Sequence, residues 1–379
     1  MSASDPIASA MQSAVEEGVF PGAVLLVRIR GRVAYHRAFG HAALIPQKEP
    51  TGLQTIYDLA SLTKPLATAT AVLCLVQDGR LSLEDPLHDI LEEMKESEIG
   101  SATVFHLLNH SSGLPAWRPF YERIAEQDRT DPGFLGSKAA RQAVLDAIRH
   151  ETLESPIGAR SLYSDLGFML LGLLVERLTA SSLAFYCRER VHGPLGAEPL
   201  FFIETVTSFP AGPCDPPSNF HSVAATENDP WRGRVLRAEV HDENAYAMGG
   251  VAGHAGLFGT ASAVLAVSGA WLEGYLGRGS FLSPDLVRHF AVRQDRTTGS
   301  SWGLGWDTPS APSSSGSKFS PTSFGHLGYT GTSLWVDPVR ELEVVLLSNR
   351  VHPTRQNNGI QKFRPLIHDL IYEELLANG

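Results

Sequence analysis

From residue 22 to 40 the chain reads GAVLLVRIRGRVAYHRAFG, two apolar, β-rich runs meeting at Arg30-Gly31-Arg32, which predicts a hairpin. From about residue 58 to 200 the apolar spacing changes to threes and fours. LATATAVLCLVQDG and LGFMLLGLLVERLTA both carry that pattern and predict helices. Residues 205–240 are rich in Pro, Asn and Asp and read as a long surface excursion. The stretch 309–323, PSAPSSSGSKFSPTS, is of low complexity and predicts a mobile loop. SLWVDP and LEVVLLSN flank a turn at Pro338-Val339-Arg340, a second hairpin, and a last helix is expected over 361–376. No internal repeat is visible. Strands at both ends with helices between predict an α+β fold. Its sheet domain takes residues 1–57 and 250–379, its mostly helical domain 58–249, and the cleft between them is the natural site.

Composition narrows the class. A chain of 379 residues predicts two or three domain-sized units, and 43% hydrophobic with 19% charged residues excludes wholesale disorder. A net charge of −10 argues against a nucleic-acid binder, whose footprint is a basic face. No apolar run reaches the length of a membrane helix. The first twenty residues hold neither Lys, Arg nor an apolar stretch, so no secretory signal is read there. Cys74, Cys187 and Cys214 are a sparse, odd set that fits reduced thiols better than a disulfide framework. Both observations point to a cytoplasmic protein.

S-x-x-K occurs twice. Ser315-Gly316-Ser317-Lys318 falls in the low-complexity stretch and is read as accidental. Ser61-Leu62-Thr63-Lys64 lies where a helix should begin, since Asp58 is a plausible cap and Pro65 is tolerated only in a first turn. A three-residue spacing puts Ser61 and Lys64 on one face. A serine hydroxyl needs a base to act as a nucleophile, and no G-x-S-x-G announces a Ser-His-Asp triad. The base would then be Lys64, or a tyrosine that Lys64 keeps ionised.

Tyr163-Ser164-Asp165 opens the strongest helical segment, and His326-Leu327-Gly328 with Tyr329-Thr330-Gly331-Thr332 precedes the final hairpin. S-x-x-K, then Y-x-N, then K-T-G or H-x-G, in this order, resembles the serine β-lactamase and penicillin-binding-protein superfamily. The likeness is greatest to its class C branch, which includes family VIII esterases, D-aminopeptidases and D-Ala-D-Ala carboxypeptidase-like proteins. LLNHSSGLPAW, YSDLGFMLLGLLVERLT and GGVAGHAGLFGTA resemble that branch as well. The resemblance implies a β-lactamase/transpeptidase-like fold. It implies Ser61 as nucleophile, Lys64 as its partner and Tyr163 as general base. It also implies an oxyanion hole from the N–H groups of Ser61 and Tyr329, with His326 on the opposite wall. Gly328 suits a strand lying close to substrate. A small ester, amide or peptide is the implied substrate, with no cofactor.

Two positions depart from the family pattern. Asp165 stands where Asn is usual, and a carboxylate beside Lys64 would hold it as ammonium, shifting the base role toward Tyr163. His326 stands where β-lactamases carry Lys, which removes a fixed cation for a substrate carboxylate and predicts weak β-lactam turnover at most. Arg350 is the candidate replacement. Rival readings are a class C-like β-lactamase, a binding or scaffolding protein on the same fold, and a metal site. For the metal, His106 and His110 have i, i+4 spacing, but Leu107 stands where a metalloprotease helix has Glu. His110 is expected in the last helical turn, where a cation suits the dipole. His241-Asp242-Glu243 with His254 reads as a structural or cleft-lining cluster.

Overall fold

The protein is described from a computed structural model covering residues 5–205 and 223–377. The first hairpin forms as expected from β1 (Gly22–Ile29) and β2 (Arg32–Ala43), joined through Arg30 and Gly31 at φ 49° and 75°. Two consecutive positive φ values give a tight turn whose twist matches that of the strands. Short strands follow at β3 (Glu49–Pro50), β4 (Tyr57–Asp58), β5 (Leu200–Phe202), β6 (Asn228–Asp229), β7 (Arg234–Val235) and β8 (Leu257–Gly259). The second expected hairpin is β10 (Ser333–Asp337) with β11 (Leu342–Ser348), preceded by β9 (Phe324–Leu327).

The main sheet has the order β3-β2-β1-β11-β10-β9, and a smaller one the order β4-β8-β5. The central pairing is antiparallel and joins distant segments, with Ala23 opposite Ser348 and Ile29 opposite Leu342. β1 reads as an unbroken apolar run because both its faces are covered. Val24 and Leu26 enter the larger core, and Ala23, Leu25 and Val27 a second one.

The helices explain the two cores. α1 (Pro6–Glu16) packs on the second core. α2 (Thr70–Gln77), α3 (Leu87–Ile90), α4 (Val104–Leu108), α5 (Phe120–Thr130), α6 (Lys138–Arg149), α7 (Asp165–Thr179), α8 (Leu183–Cys187) and α9 (Glu243–Ala247) make the helical part. α10 (Ala261–Tyr275) and α11 (Pro284–Ala291) follow, and α12 (Ile360–Tyr372) returns to lie with α1. The larger core is continuous from β1 and β11 through Trp271 of α10 to Leu170 of α7, so sheet and helical part share one interior.

Residues 309–323 depart from expectation: they are docked, not loose. Asp369 of α12 accepts from the backbone N–H of Ser317 (2.6 Å) and Lys318 (3.2 Å), Phe319 packs in the second core, and Ser315 is buried. Of the expected excursion 205–240, residues 206–222 and with them Cys214 lie outside the described residues, and the remainder holds the β6–β7 ribbon. Cys74 and Cys187 are buried, and burial pushes the Cys74 thiol up to about 12. Among the described residues no single helix is long and apolar enough to cross a membrane.

Candidate active site

Ser61 follows directly on β4, in a short 3-10 turn at Ala60–Leu62 entered through Ala60 at φ 47°. A non-glycine residue there costs about 1–3 kcal/mol and persists only where neighbours enforce it. Asp58 is one of them, though not as the expected helix cap. Its Oδ1 accepts from Ala60 N–H at 2.8 Å and its Oδ2 from His241 N–H at 2.7 Å. The chain then runs through a widened turn at Lys64–Ala69, where the missing N–H of Pro65 is harmless, before α2 begins.

Lys64 is fully buried; its ammonium donates to Ser61 Oγ at 2.9 Å and the His254 carbonyl at 3.1 Å and pairs with Asp165 Oδ1 at 2.7 Å. Burial alone would lower its pKa, but the Asp165 carboxylate and the Tyr163 phenol outweigh that and hold it above its ordinary value. Asp165 opens α7, where a carboxylate suits the helix dipole, and Ser164 caps the helix, accepting from Gly167 N–H at 3.4 Å. Tyr163 stands just before that cap, lining the same cleft as Ser61, with Lys64 Nζ 4.9 Å from its ring centre. Burial raises the Tyr163 pKa; Lys64 opposes this, and the balance leaves it above 10.0.

His110 does not sit in the last turn of α4 as a cation. It lies beyond the helix at φ 59°, and burial with the nearby Lys64 charge pushes its pKa well below 6.5. Its Nδ1 accepts from Ser164 N–H at 3.1 Å, and its ring packs 4.6 Å from Tyr163 and 4.5 Å from Trp302. His106 turns elsewhere, accepting from Thr103 N–H at 3.2 Å. Among the described residues no group of His, Cys, Asp and Glu is arranged to hold a metal ion.

The C-terminal motif is fastened to the nucleophile turn by two side chains. Thr330 donates to the Asp58 carbonyl at 2.7 Å and Thr332 to the Leu59 carbonyl at 3.0 Å. Tyr329, just before them in the chain, lines the cleft and stacks on His241 with ring centres 5.8 Å apart. Two expectations for this wall need correction. His326 is 2% exposed and lies behind the cleft against Tyr163 and Trp302, not on its face; its Nδ1–H donates to the Leu327 carbonyl, and burial takes it down to about 3. Gly328 is required by the protein itself, since a Cβ would strike Thr332 Oγ1 and the Leu59 carbonyl. Arg350 supplies no cation to the cleft: it is 5% exposed and donates to the carbonyls of Tyr329, Arg355 and Asn357 at 2.7, 2.9 and 2.7 Å.

What these residues enclose is a cleft of 350 Å³ lined by Ser61, Trp117, Tyr163, Asp165, His241, Asp242, Glu243, Tyr329 and Arg355. The second S-x-x-K is far from it in structure as in sequence, docked on α12.

The beta-lactamase family profile matches residues 7–364. The chain belongs to the beta-lactamase family. As a member it is 32% identical over 362 residues to a protein of Escherichia coli (strain K12) named "Putative D-alanyl-D-alanine carboxypeptidase", covering 88% of this chain and 79% of the relative. A Salmonella typhimurium protein of the same name is 30% identical over 369 residues, covering 90% and 81%. Among solved structures, the fold matches EstCE1, a hydrolase with promiscuous acyltransferase activity, at a TM-score of 0.71 and 21% identity over 97% of both chains. It also matches the octameric penicillin-binding protein homologue from Pyrococcus abyssi, at 0.71 and 22% identity, covering 97% of this chain and 76% of that one. This beta-lactamase fold is α+β, with the site at the junction of the sheet and the helical part.

Trp302, His110 and Arg355 are site residues that sequence reasoning passed over or assigned to other roles. Trp302 and Arg355 belong to no spaced motif, and the spacing that singled out His110 pointed to a metal; packing alone brings the three here.

Proposed function

We propose that the protein is a serine hydrolase that forms an acyl-enzyme on Ser61 from small esters or amides. The carrying observation is the contact of Ser61, Lys64 and Tyr163 at the floor of one cleft. Lys64 is held as an ammonium by Asp165 and donates to Ser61 Oγ and the His254 carbonyl, and an ammonium has no lone pair to receive a proton. Lys64 therefore orients Ser61 and supplies positive charge, and Tyr163 takes the proton. In acylation the Ser61 O–H breaks, its proton passes to the Tyr163 phenolate, and Oγ bonds to the substrate carbonyl carbon. The backbone N–H groups of Ser61 and Tyr329 receive the oxyanion. Collapse expels an alkoxide or amine, which recovers the proton from Tyr163, and water repeats the sequence to release the acid. The carboxypeptidase name of the relatives supports peptide amides as candidate substrates alongside esters. The neutral His326 and the occupied Arg350 support weak β-lactam turnover.

A serine-directed phosphonate followed by intact-protein mass measurement tests the reading. One adduct is expected on the wild type and on Ser315→Ala, and none on Ser61→Ala. An unmodified wild type would instead fit a binding protein on the same fold.

A further inference from the structure

The charges around the cleft are unevenly distributed. Asp165, Asp242 and Glu243 line it against the single guanidinium of Arg355. With Lys64 and Glu227 behind the wall counted in, fixed charge leaves an excess of carboxylate, and Asp242, whose partner is the His254 imidazole, is a lining carboxylate that no Lys or Arg matches. The cations present are also engaged. Lys64 is paired with Asp165, and Arg355 lies between Glu227 (2.5 Å) and Glu243 (2.7 Å).

Asp242 is the carboxylate best placed to meet a ligand. Its side chain is 23% exposed, and its bonds to Ala245 N–H (2.7 Å) and His254 Nε2 (2.9 Å) both fall on Oδ1. Oδ2 has no hydrogen-bond partner among the described residues, and the residue lines the cleft. Two routes hold this side chain in register with the nucleophile. His241, its chain neighbour, donates to Asp58, which also binds Ala60 N–H. His254, its side-chain partner, offers its carbonyl to Lys64, which binds Ser61. Two aromatic faces complete the wall, Trp117 at 41% and Tyr329 at 50% exposed. Carboxylate with aromatic faces is the chemistry that holds an ammonium ion.

Resting on the Ser61 hydrolase reading, we propose that this cleft selects acyl donors with a free amine beside the scissile carbonyl, namely aminoacyl amides and esters, over donors bearing a carboxylate. Asp242 Oδ2 accepts from the ammonium, and Trp117 and Tyr329 cover it. Asp242 is thus a specificity residue with no part in proton transfer to or from Ser61.

Binding and turnover are measured separately, so the two readings fail separately. In the Ser61→Ala background, calorimetry compares alaninamide of either hand, N-acetylalaninamide and N-acetylalanine, which are cation, neutral and anion on one frame. Alaninamide of one hand should bind roughly ten- to a hundred-fold more tightly than the neutral amide. That advantage should shrink on Asp242→Asn and fall with added salt, a readout that needs no second variant to fold. Equal or tighter binding of N-acetylalanine overturns the proposal, and its loss on Arg355→Gln would assign recognition to Arg355. Wild-type turnover of alanyl p-nitroanilide, N-acetylalanyl p-nitroanilide and p-nitrophenyl acetate is the second arm. Turnover without preference for the free amine overturns the proposal alone. A preserved binding order with no turnover of any donor overturns the hydrolase reading and leaves the charge preference standing.

Discussion

Lys64 Nζ and Asp165 Oδ1 meet at 2.7 Å, an ion pair in which the lysine side chain is 0% and the aspartate 18% exposed. Where the family pattern has a neutral amide, this chain has a carboxylate, and the lysine beside the nucleophile is held charged. Asp165→Asn should strand that ammonium and destabilise the fold by about 3 kcal/mol at pH 7, near the lower end for a broken buried pair. Wild-type Lys64 has a raised pKa, so the pair's stabilisation is lost only as pH climbs through that value. In the variant burial acts alone and favours the neutral amine. The deficit should therefore narrow toward pH 10, as read by urea unfolding at pH 7 and 9.5; a constant deficit would mean Lys64 is not charged in the wild type.

Tyr163, held above 10.0, is mostly a phenol at neutral pH, so its reactive form is scarce. Acylation should rise with pH, approaching tenfold per unit between pH 7 and 9, in kcat/KM for a stable amide. Tyr163→Phe should remove the slope and lower the rate about 10²–10⁴-fold. A flat wild-type profile would move the base role elsewhere.

Gly328→Ala would drive a methyl group toward the Leu59 carbonyl, at 2.6 Å before any shift, two residues from Ser61. The segment 328–332 must then move off the nucleophile turn. Displacements of this kind cost about a hundredfold in rate. kcat/KM should fall by that order, while Gly52→Ala, whose nearest neighbouring atom lies 4.0 Å away, leaves it alone. Comparable rates in both variants would remove Gly328 from the support of the site.

His368 is buried and does not line the cleft; its Nδ1–H donates to the Ser314 carbonyl at 2.8 Å and its imidazole is pushed down by burial to about 4. Between pH 6.5 and 4 the unfolded chain binds a proton that the folded one refuses, so stability contributed by this group falls as pH falls. The wild type should lose about 3 kcal/mol more than His368→Gln over that window, the other titrating groups being common to both. Equal losses in urea unfolding would show that His368 takes up its proton without leaving its place.

The hairpins were legible because each rests on local signals, apolar runs about a turn, and the nucleophile turn because Ser61, Lys64 and Pro65 lie within five residues. Tyr163 was reached through motif order. What escaped depends on where a side chain leaves its strand. Motif order puts His326 and Arg350 near the cleft, but only packing shows His326 behind Tyr163 and Arg350 turned to three carbonyls. Residues 309–323 misled for a related reason. Their composition reports solubility, while their order comes from Asp369, more than fifty positions onward. His110 was weighed for metal spacing and expected in a last helical turn, yet its Nδ1 takes the Ser164 N–H and its ring packs on Tyr163.

The pairing of β1 with β11 has a consequence for the protein's birth. A ribosome delivers Ser61, Lys64 and Tyr163 early, and the helical part can gather around them. The strand that closes the sheet at Leu342–Ser348, and the Thr330 and Thr332 hooks that hold this segment to the Ser61 turn, emerge long after them. Contacts so far apart in sequence are slow to form, because a long loop must close first. A nascent chain would thus carry Ser61, Lys64 and Tyr163 for a long stretch of synthesis without the wall that completes their cleft, and the cleft would form all at once.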